Sequence, residues 1–275
     1  MKSSGARSSR ASGAEPLVTV LALLASVAAA AAAEPPLRVC METRDAPWAY
    51  VPGREWDVVD RARTPTLAAR DRTRLVGLDV DVMAALTGRL KMSPQVVPTS
   101  WIKLESALTN RRCDVIVSSW TPTPDTPAAI VASAPYCEWG LLIAARADSQ
   151  RIQSVSDLSG ARVGHIPDPA VARALAEMGR GERFVRGTKT QLFRDLRAGV
   201  LDAVIYDSLF VRWLVSRDAD FRVVGQPLNR LGYHVGVRRS DPALAERVRE
   251  AVDALVASGE ARAIQRKWEE PAGRP

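Results

Sequence analysis

The sequence has little of what catalytic and metal sites require. It has two histidines and three cysteines among 275 residues. The histidines, His165 and His234, lie far in sequence from any cysteine pair, and no C-x-x-C occurs. A zinc site is therefore disfavoured, and we expect no metal and no cofactor. G-x-S-x-G, H-E-x-x-H and phosphate-loop motifs are also missing, so we do not expect an enzyme.

Aromatic-basic clusters and long apolar runs are scarce too. The formal charge is +7, from 38 basic and 31 acidic residues, and the two signs are interspersed, so we do not expect nucleic-acid binding. The one long apolar run, residues 17–33, follows Lys2, Arg7 and Arg10 and ends in an A-x-A motif. This predicts a cleavable signal peptide over residues 1–33 and a periplasmic protein.

Three cysteines are an odd number for an exported chain and permit one disulfide and one free thiol. Cys40 ends the first predicted strand and Cys113 begins another, which would place them on neighbouring strands of one sheet. The alternative is that these two residues and Cys137 are small buried hydrophobic side chains.

The sequence contains an internal repeat. LTNRRCDVIVSSW at 108–120 aligns with LRAGVLDAVIYDS at 196–208, so that Asp114 matches Asp202 and Ser119 matches Asp207. Each copy predicts a helix end, a turn and a buried strand of a parallel sheet. Ligands bind beyond the carboxyl ends of such strands, so residues 118–121 and Asp207 are the first candidates for a site. The alternative is the general similarity of any two βα units.

The flanking pattern extends each copy into an α/β unit. Asp79 is placed to cap the first helix. Ile102, Ala107 and Leu108 are expected to be buried in the second helix. A final amphipathic helix is predicted over 242–267. Its apolar stripe is Leu244, Val248, Val252, Leu255 and Val256.

Two apolar extended segments, 139–145 and 231–239, are predicted to cross between two similar lobes. Lobe 1 would span residues 34–142 and 233–275, and lobe 2 would span residues 143–232. Residues 51–76 are rich in arginine and are expected to form an exposed insertion. Two lobes joined by two strands form a hinge, and a hinge implies a cleft that closes over a ligand.

Five motifs in chain order resemble the periplasmic solute-binding proteins of polar-amino-acid-type ABC transporters. They are GLDVDVMAAL, CDVIVSSWTPTP followed by APY, DLSGARVGHI, GVLDAVIYD and SGEARAIQRKWEE. The resemblance covers nearly all of residues 36–270 except the insertion. It implies the type 2 periplasmic binding fold, an α/β fold with two Rossmann-like lobes joined by two hinge strands. It also implies a small polar ligand, an ABC permease as partner and a monomer.

The resemblance implies ligand contacts from both lobes. Trp48 falls at an aromatic position against the ligand, and Asp207 falls on the acid that holds an α-ammonium group. The alternative for Asp207 is capping of a helix over 208–215. The full predicted set is Trp48, Tyr50, Ser118, Ser119, Trp120, Thr121, Asp168 and Asp207.

Two departures from the family pattern remove its carboxylate-binding groups. Thr126 stands where the family has an arginine. Asp168-Pro169-Ala170 stands where the family has Gly-Thr-Thr, whose amides would bind an anion. We therefore expect a cationic or neutral ligand, with Asp45 or Asp125 adding to the acids. Arg44 and Arg146 are the alternative partners for a carboxylate.

Two alternatives remain open. Cys40 after Arg-Val, the Arg-Cys-Asp-Val at 112–115 and Pro169-Ala170 resemble binding-protein-like proteins associated with quinoprotein alcohol dehydrogenases. In that case the partner would be the dehydrogenase, and the protein would be its periplasmic accessory. The second alternative is a periplasmic dehydratase-like enzyme on the same fold. Its acid or base candidates are Glu138, His165 and Asp207, although we expect His165 to be structural.

Overall fold

The computed structural model describes residues 35–56, 67–71, 73–167, 169–177 and 185–269. The signal peptide predicted over 1–33, the stretch 57–66 of the predicted insertion and Asp168 lie outside the described residues. Within the described ranges, no helix combines the length and apolar character needed to span a bilayer.

Two five-stranded sheets form the core. The first has the order β2-β1-β3-β10-β4, and the second has the order β7-β6-β8-β5-β9. The strands are β1 Leu37–Met41, β2 Pro94–Pro98, β3 Val115–Ile116, β4 Ile130–Trp139, β5 Leu141–Arg146, β6 Val163–His165, β7 Val185–Arg186, β8 Ala203–Asp207, β9 Phe221–Val224 and β10 Leu231–Arg238. The α-helices are α1 Leu78–Leu90, α2 Leu104–Thr109, α3 Pro169–Glu177, α4 Lys189–Arg197, α5 Ser208–Val215, α6 Pro242–Ala257 and α7 Glu260–Glu269.

The two sheets share one plan. In each, three parallel strands are followed by an antiparallel strand, β10 beside β3 and β5 beside β8. The same ion pair recurs in both. Arg38 Nη2 lies 2.7 Å from Asp114 Oδ1, and Arg162 Nη2 lies 2.8 Å from Asp202 Oδ1. In both pairs the arginine Nε also donates to the second carboxylate oxygen. The duplicated unit inferred from the sequence is therefore present in the fold.

The lobes are joined at Gly140, between β4 and β5. A side chain there would meet the carbonyl oxygen of Asn229 at 2.2 Å. The two connections run side by side, because Leu228 N donates to Leu141 O at 2.7 Å. Strand β10 pairs with β3 and β4 of the first sheet. The prediction that 231–239 makes the second crossing was therefore wrong. The chain crosses in 225–230, which carries a polar turn.

Cys40 and Cys113 form a disulfide with a Cα–Cα distance of 5.6 Å. It ties the end of β1 to the residue two before β3. Cys137 is a buried free cysteine.

Three local predictions were wrong. Gly77 precedes α1, and no side chain caps that helix. Asp79 instead accepts a hydrogen bond from Tyr136 Oη at 2.7 Å. Ile102 is 58% exposed, because residues 101–103 form a 3-10 turn ahead of α2. Val256 is 44% exposed in the last turn of α6.

Candidate functional site

A cleft of ≈ 230 Å³ lies between the two sheets, at the carboxyl ends of β3 and β8. Lobe 1 and the hinge supply most of its wall, and Ile166, Val171, Tyr206 and Asp207 come from lobe 2. The lining acids are Asp45, Glu105, Asp125 and Asp207. The lining aromatic residues are Trp48, Trp101, Trp120, Trp139, Tyr206 and Tyr233. The cleft is therefore acidic and aromatic.

Asp207 sits at the end of β8 and has two roles. Its Oδ1 accepts hydrogen bonds from Leu209 N at 2.8 Å and Phe210 N at 3.4 Å, so it caps α5. Its Oδ2 accepts from the hydroxyl of Tyr233, on β10 of the first sheet. Burial raises the pKa of this carboxyl to about 7, against the lowering effect of these hydrogen bonds. The capping role, treated from the sequence as the alternative to binding an α-ammonium group, is present, and Asp207 also lies in the cleft wall. Binding of an α-ammonium group stays a prediction.

The loop after β3 divides between the cleft and the core. Ser119, Trp120 and Thr121 line the cleft. Ser118 is buried behind it, where its Oγ accepts from Glu42 N at 2.9 Å. Thr121 Oγ1 donates to Gly232 O at 2.9 Å and accepts from Trp139 Nε1 at 3.0 Å. These bonds attach the loop to β10 and to the end of β4.

Trp48 lines the cleft, but Tyr50 does not lie among the described lining residues. Tyr50 is buried between Trp213 and Trp268, with ring centroids at 6.4 and 6.3 Å. Trp48 stacks on Phe210 of lobe 2 at 6.2 Å. The chain after β1 therefore packs against α5 and joins the two lobes through aromatic contacts.

Thr126 holds an acid in the cleft wall. Its hydroxyl donates to Glu105 Oε1 at 3.1 Å and accepts from Thr123 N at 2.9 Å. Trp120 Nε1 donates to the same Glu105 oxygen at 3.0 Å. At the position where the resemblance places an arginine, the chain thus orients a carboxylate instead.

The arginines considered as substitutes do not line the cleft in the described part of the chain. Arg146 pairs with Asp148 at 2.9 Å. Arg44 lies near Glu42, whose pKa is raised to about 7 by burial and by Asp45 and is lowered again by the Arg44 charge.

A lysine crosses from lobe 2 to lobe 1 beside the cleft. Lys189, at the start of α4, donates to Asp45 Oδ1 at 2.6 Å and to Ala46 O at 3.0 Å. Its side chain is 5% exposed and that of Asp45 is 13% exposed. The ammonium also lies 4.9 Å from the centroid of the Phe210 ring. Lys189 was not among the site residues predicted from the sequence.

Other residues of the cleft were also missed. Trp101 follows the carboxyl end of β2, so the rule that ligands bind beyond strand ends could have identified it. Tyr233 lies within β10, and Trp139 ends β4. Only the pairing of β10 with β4 brings these two rings together, at 5.3 Å.

The candidates for acid–base catalysis are not grouped. His165 is buried in β6, and its Nδ1 lies 2.7 Å from Ile166 O. Glu138 pairs with Arg230 at the surface. Of the three, only Asp207 is among the described lining residues.

Comparison with known proteins identifies the family. Residues 58–271 match the family model of the bacterial extracellular solute-binding proteins, family 3. The chain belongs to this family. It is 30% identical to the L-arginine-binding protein of Pseudomonas aeruginosa over 206 residues. The aligned part covers 71% of this chain and 80% of that protein. It is 25% identical over 202 residues to the L-cystine-binding protein TcyJ of Escherichia coli, with 72% and 76% covered.

Solved structures agree with this assignment. The P235GK mutant of ArgBP from T. maritima has a TM-score of 0.65 at 26% identity, covering 84% of this chain and 94% of that chain. The arginine-, lysine-, histidine-binding protein ArtJ from Geobacillus stearothermophilus has a TM-score of 0.66 at 21% identity, with 85% and 95% covered, and shows the fold alone. The predicted fold class and the predicted family are confirmed. The chain is a solute-binding protein of the amino-acid ABC transporter type.

Proposed function

We propose that this member of the family is an exported protein that closes over a small cationic molecule lacking an α-carboxylate and delivers it to an ABC permease. The observation that carries the proposal is the charge of the cleft. Its lining residues in the described part of the chain include Asp45, Glu105, Asp125 and Asp207, and none is basic. Asp45 and Asp125 have basic partners outside the lining, Lys189 and Arg173, so the excess of negative charge rests on Glu105 and Asp207. This excess attracts a cation and disfavours the carboxylate of a free amino acid.

The state of Asp207 supports the same conclusion. Its oxygens already accept hydrogen bonds from Tyr233 and from two amides at the start of α5. Because burial raises its pKa to about 7, it carries only part of a negative charge at neutral pH. It is therefore poorly suited to hold an α-ammonium group. Thr126, which stands where the resemblance places an arginine, donates to Glu105. The α-carboxylate and the α-ammonium group of an amino acid therefore both lack the partner that the resemblance implies.

The relatives give a useful reference ligand. One is named for binding L-arginine, and agmatine is the same molecule without its carboxylate. We expect agmatine to bind to the purified protein in isothermal titration calorimetry and L-arginine to bind at least tenfold more weakly, which is about 1.4 kcal/mol. Equal affinity for the two would refute the proposal.

A pair of variants tests the site. Glu105→Gln removes a charge oriented toward the cleft, and we expect it to weaken agmatine binding. Asp148→Asn removes a surface charge paired with Arg146 and serves as the matched control. If both variants bind agmatine as the wild type does, the proposed site is wrong.

The accessory protein of a quinoprotein dehydrogenase is the second candidate. It is favoured by the Cys40–Cys113 disulfide, because both cysteines belong to the motifs that carry this resemblance. A ligand screen with no response, together with co-purification with a periplasmic dehydrogenase, would favour this candidate. A response to agmatine without co-purification of a dehydrogenase would favour a binding protein that serves an ABC permease.

A further inference from the structure

We propose that the cleft is an aromatic cage for a fully alkylated, that is quaternary, ammonium ion. This inference rests on the proposed function and names the chemical class of its cation. Of the 16 described residues that line the cleft, six are aromatic, whereas aromatic residues make up 5% of the whole chain. Aromatic faces attract cations through the ring quadrupole, and this attraction is strongest where water is excluded.

On at least four of these six rings, the polar group has a partner within the protein. The indole nitrogens of Trp48, Trp120 and Trp139 donate to Tyr233 Oη, Glu105 Oε1 and Thr121 Oγ1 at 3.2, 3.0 and 3.0 Å. The hydroxyl of Tyr233 donates to Asp207. These bonds fix the orientation of the rings, which therefore offer the ligand few hydrogen-bond donors.

Three of the four acids of the cleft, Asp45, Glu105 and Asp207, are also engaged. Asp45 accepts from Lys189 at 2.6 Å, and Glu105 Oε1 accepts from two donors. Such carboxylates contribute negative potential and leave fewer acceptor positions for a ligand. A primary ammonium carries three N–H donors that need acceptors once they are desolvated. A fully alkylated ammonium has none, so it is the cation that this wall suits best.

The chain itself shows the contrast. Where it buries a primary ammonium of its own, at Lys189, it provides two acceptors as well as rings. Those acceptors are Asp45 Oδ1 and Ala46 O, and the rings are Phe210 and Trp48, with centroids at 4.9 and 5.9 Å. In the cleft, the ring surface is retained, while three of the four acids already accept hydrogen bonds from the protein.

Three probes that share a hydroxyethyl chain test the inference by calorimetry on the purified protein. Choline carries a trimethylammonium group, and ethanolamine carries a primary ammonium in its place. The dimethylbutanol used is 3,3-dimethylbutan-1-ol, which has carbon in place of the choline nitrogen and is uncharged. We expect choline to bind at least tenfold more tightly than either of the others. Tighter binding of ethanolamine, or equal binding of dimethylbutanol, would overturn the inference.

Agmatine and L-arginine, measured in the same preparation, separate the two proposals. If agmatine binds and choline does not bind at millimolar concentration, the cage is wrong and the proposed function stands. If L-arginine binds as tightly as agmatine, the proposed function fails. Binding of choline with no binding of L-arginine supports both proposals.

Variants of Trp101 test the ring itself, since this side chain is only partly buried at the start of the turn before α2. We expect Trp101→Leu to weaken choline binding at least fivefold and Trp101→Phe to weaken it less. Dimethylbutanol serves as the reference for apolar contact. If Trp101→Leu weakens the binding of both compounds equally, Trp101 contributes only apolar contact, and a cation–π role for it is excluded.

Discussion

The two roles of Asp207 can be separated by substitution. Asp207→Ala removes the acceptor for the first amides of α5 and for Tyr233, and loss of such a cap costs about 1–2 kcal/mol of unfolding free energy. Asp207→Asn keeps an acceptor at the same place, so we expect less than half of that loss. Urea denaturation followed by circular dichroism measures both. Equal losses from the two variants would show that the charge, and not the cap, stabilises the native state.

Three buried carboxyls make stability depend on pH in an unusual direction. Burial raises the pKa values of Glu42, Asp79 and Asp207 to about 7, from ordinary values of 4.5, 3.8 and 3.8. Between these limits the native state binds protons that the unfolded chain has released, so stability falls as pH rises through this window. Asp114 and Asp202 have lowered pKa values and lose their stabilising charge only below that window. We expect a higher melting temperature at pH 5 than at pH 8.

Asp79→Asn provides the matched test of that pH dependence. Tyr136 can still donate to the amide oxygen, but the titrating group is gone. The difference in melting temperature between pH 5 and pH 8 should therefore shrink in this variant. An unchanged difference, at constant ionic strength, would mean that Asp79 does not titrate in this range.

At the scale of elements, the sequence predicts those strands and helices that periodicity and repetition of the pattern determine. The repeated Asp before a short apolar run identifies β3 and β8. Both are buried parallel strands, and in both the Asp before the strand pairs with an arginine. Ile102 was mispredicted because a 3-10 turn changes the direction of side chains that an α-helix would bury. Lys189 and Tyr233 could not be predicted as site residues, since their partners lie 144 and 26 residues away in sequence.

The disulfide closes a long segment of lobe 1. Cys40 and Cys113 are 73 residues apart, and constraint of an unfolded loop of that size is worth about 4 kcal/mol in the chain-entropy model. Replacement of both cysteines by alanine should lower the urea midpoint clearly. Cys137→Ala, which alters a buried free cysteine, is the control and should not change the response to a reducing agent. If reduction leaves the wild-type midpoint unchanged, the disulfide does not stabilise the fold.

At the scale of the molecule, contacts between the lobes stabilise the arrangement seen in the structure. Trp48 stacks on Phe210, Tyr50 meets Trp213, and Lys189 pairs with Asp45. Each aromatic pair contributes about 0.5–1.5 kcal/mol beyond its buried area. The ion pair contributes less than its geometry suggests, because opening returns both charges to water. This arrangement therefore depends mainly on the rings.

This balance predicts the behaviour of variants of the ion pair. Lys189→Met keeps an apolar stem against Phe210 but leaves the Asp45 charge without its cation, and an unpaired charge favours the open state that hydrates it. We expect the radius of gyration from small-angle X-ray scattering to increase for Lys189→Met without ligand. Addition of Asp45→Asn removes the stranded charge, so the double variant should return toward the wild-type value. If the double variant stays as open as Lys189→Met, the ion pair itself holds the lobes together, and the rings alone do not.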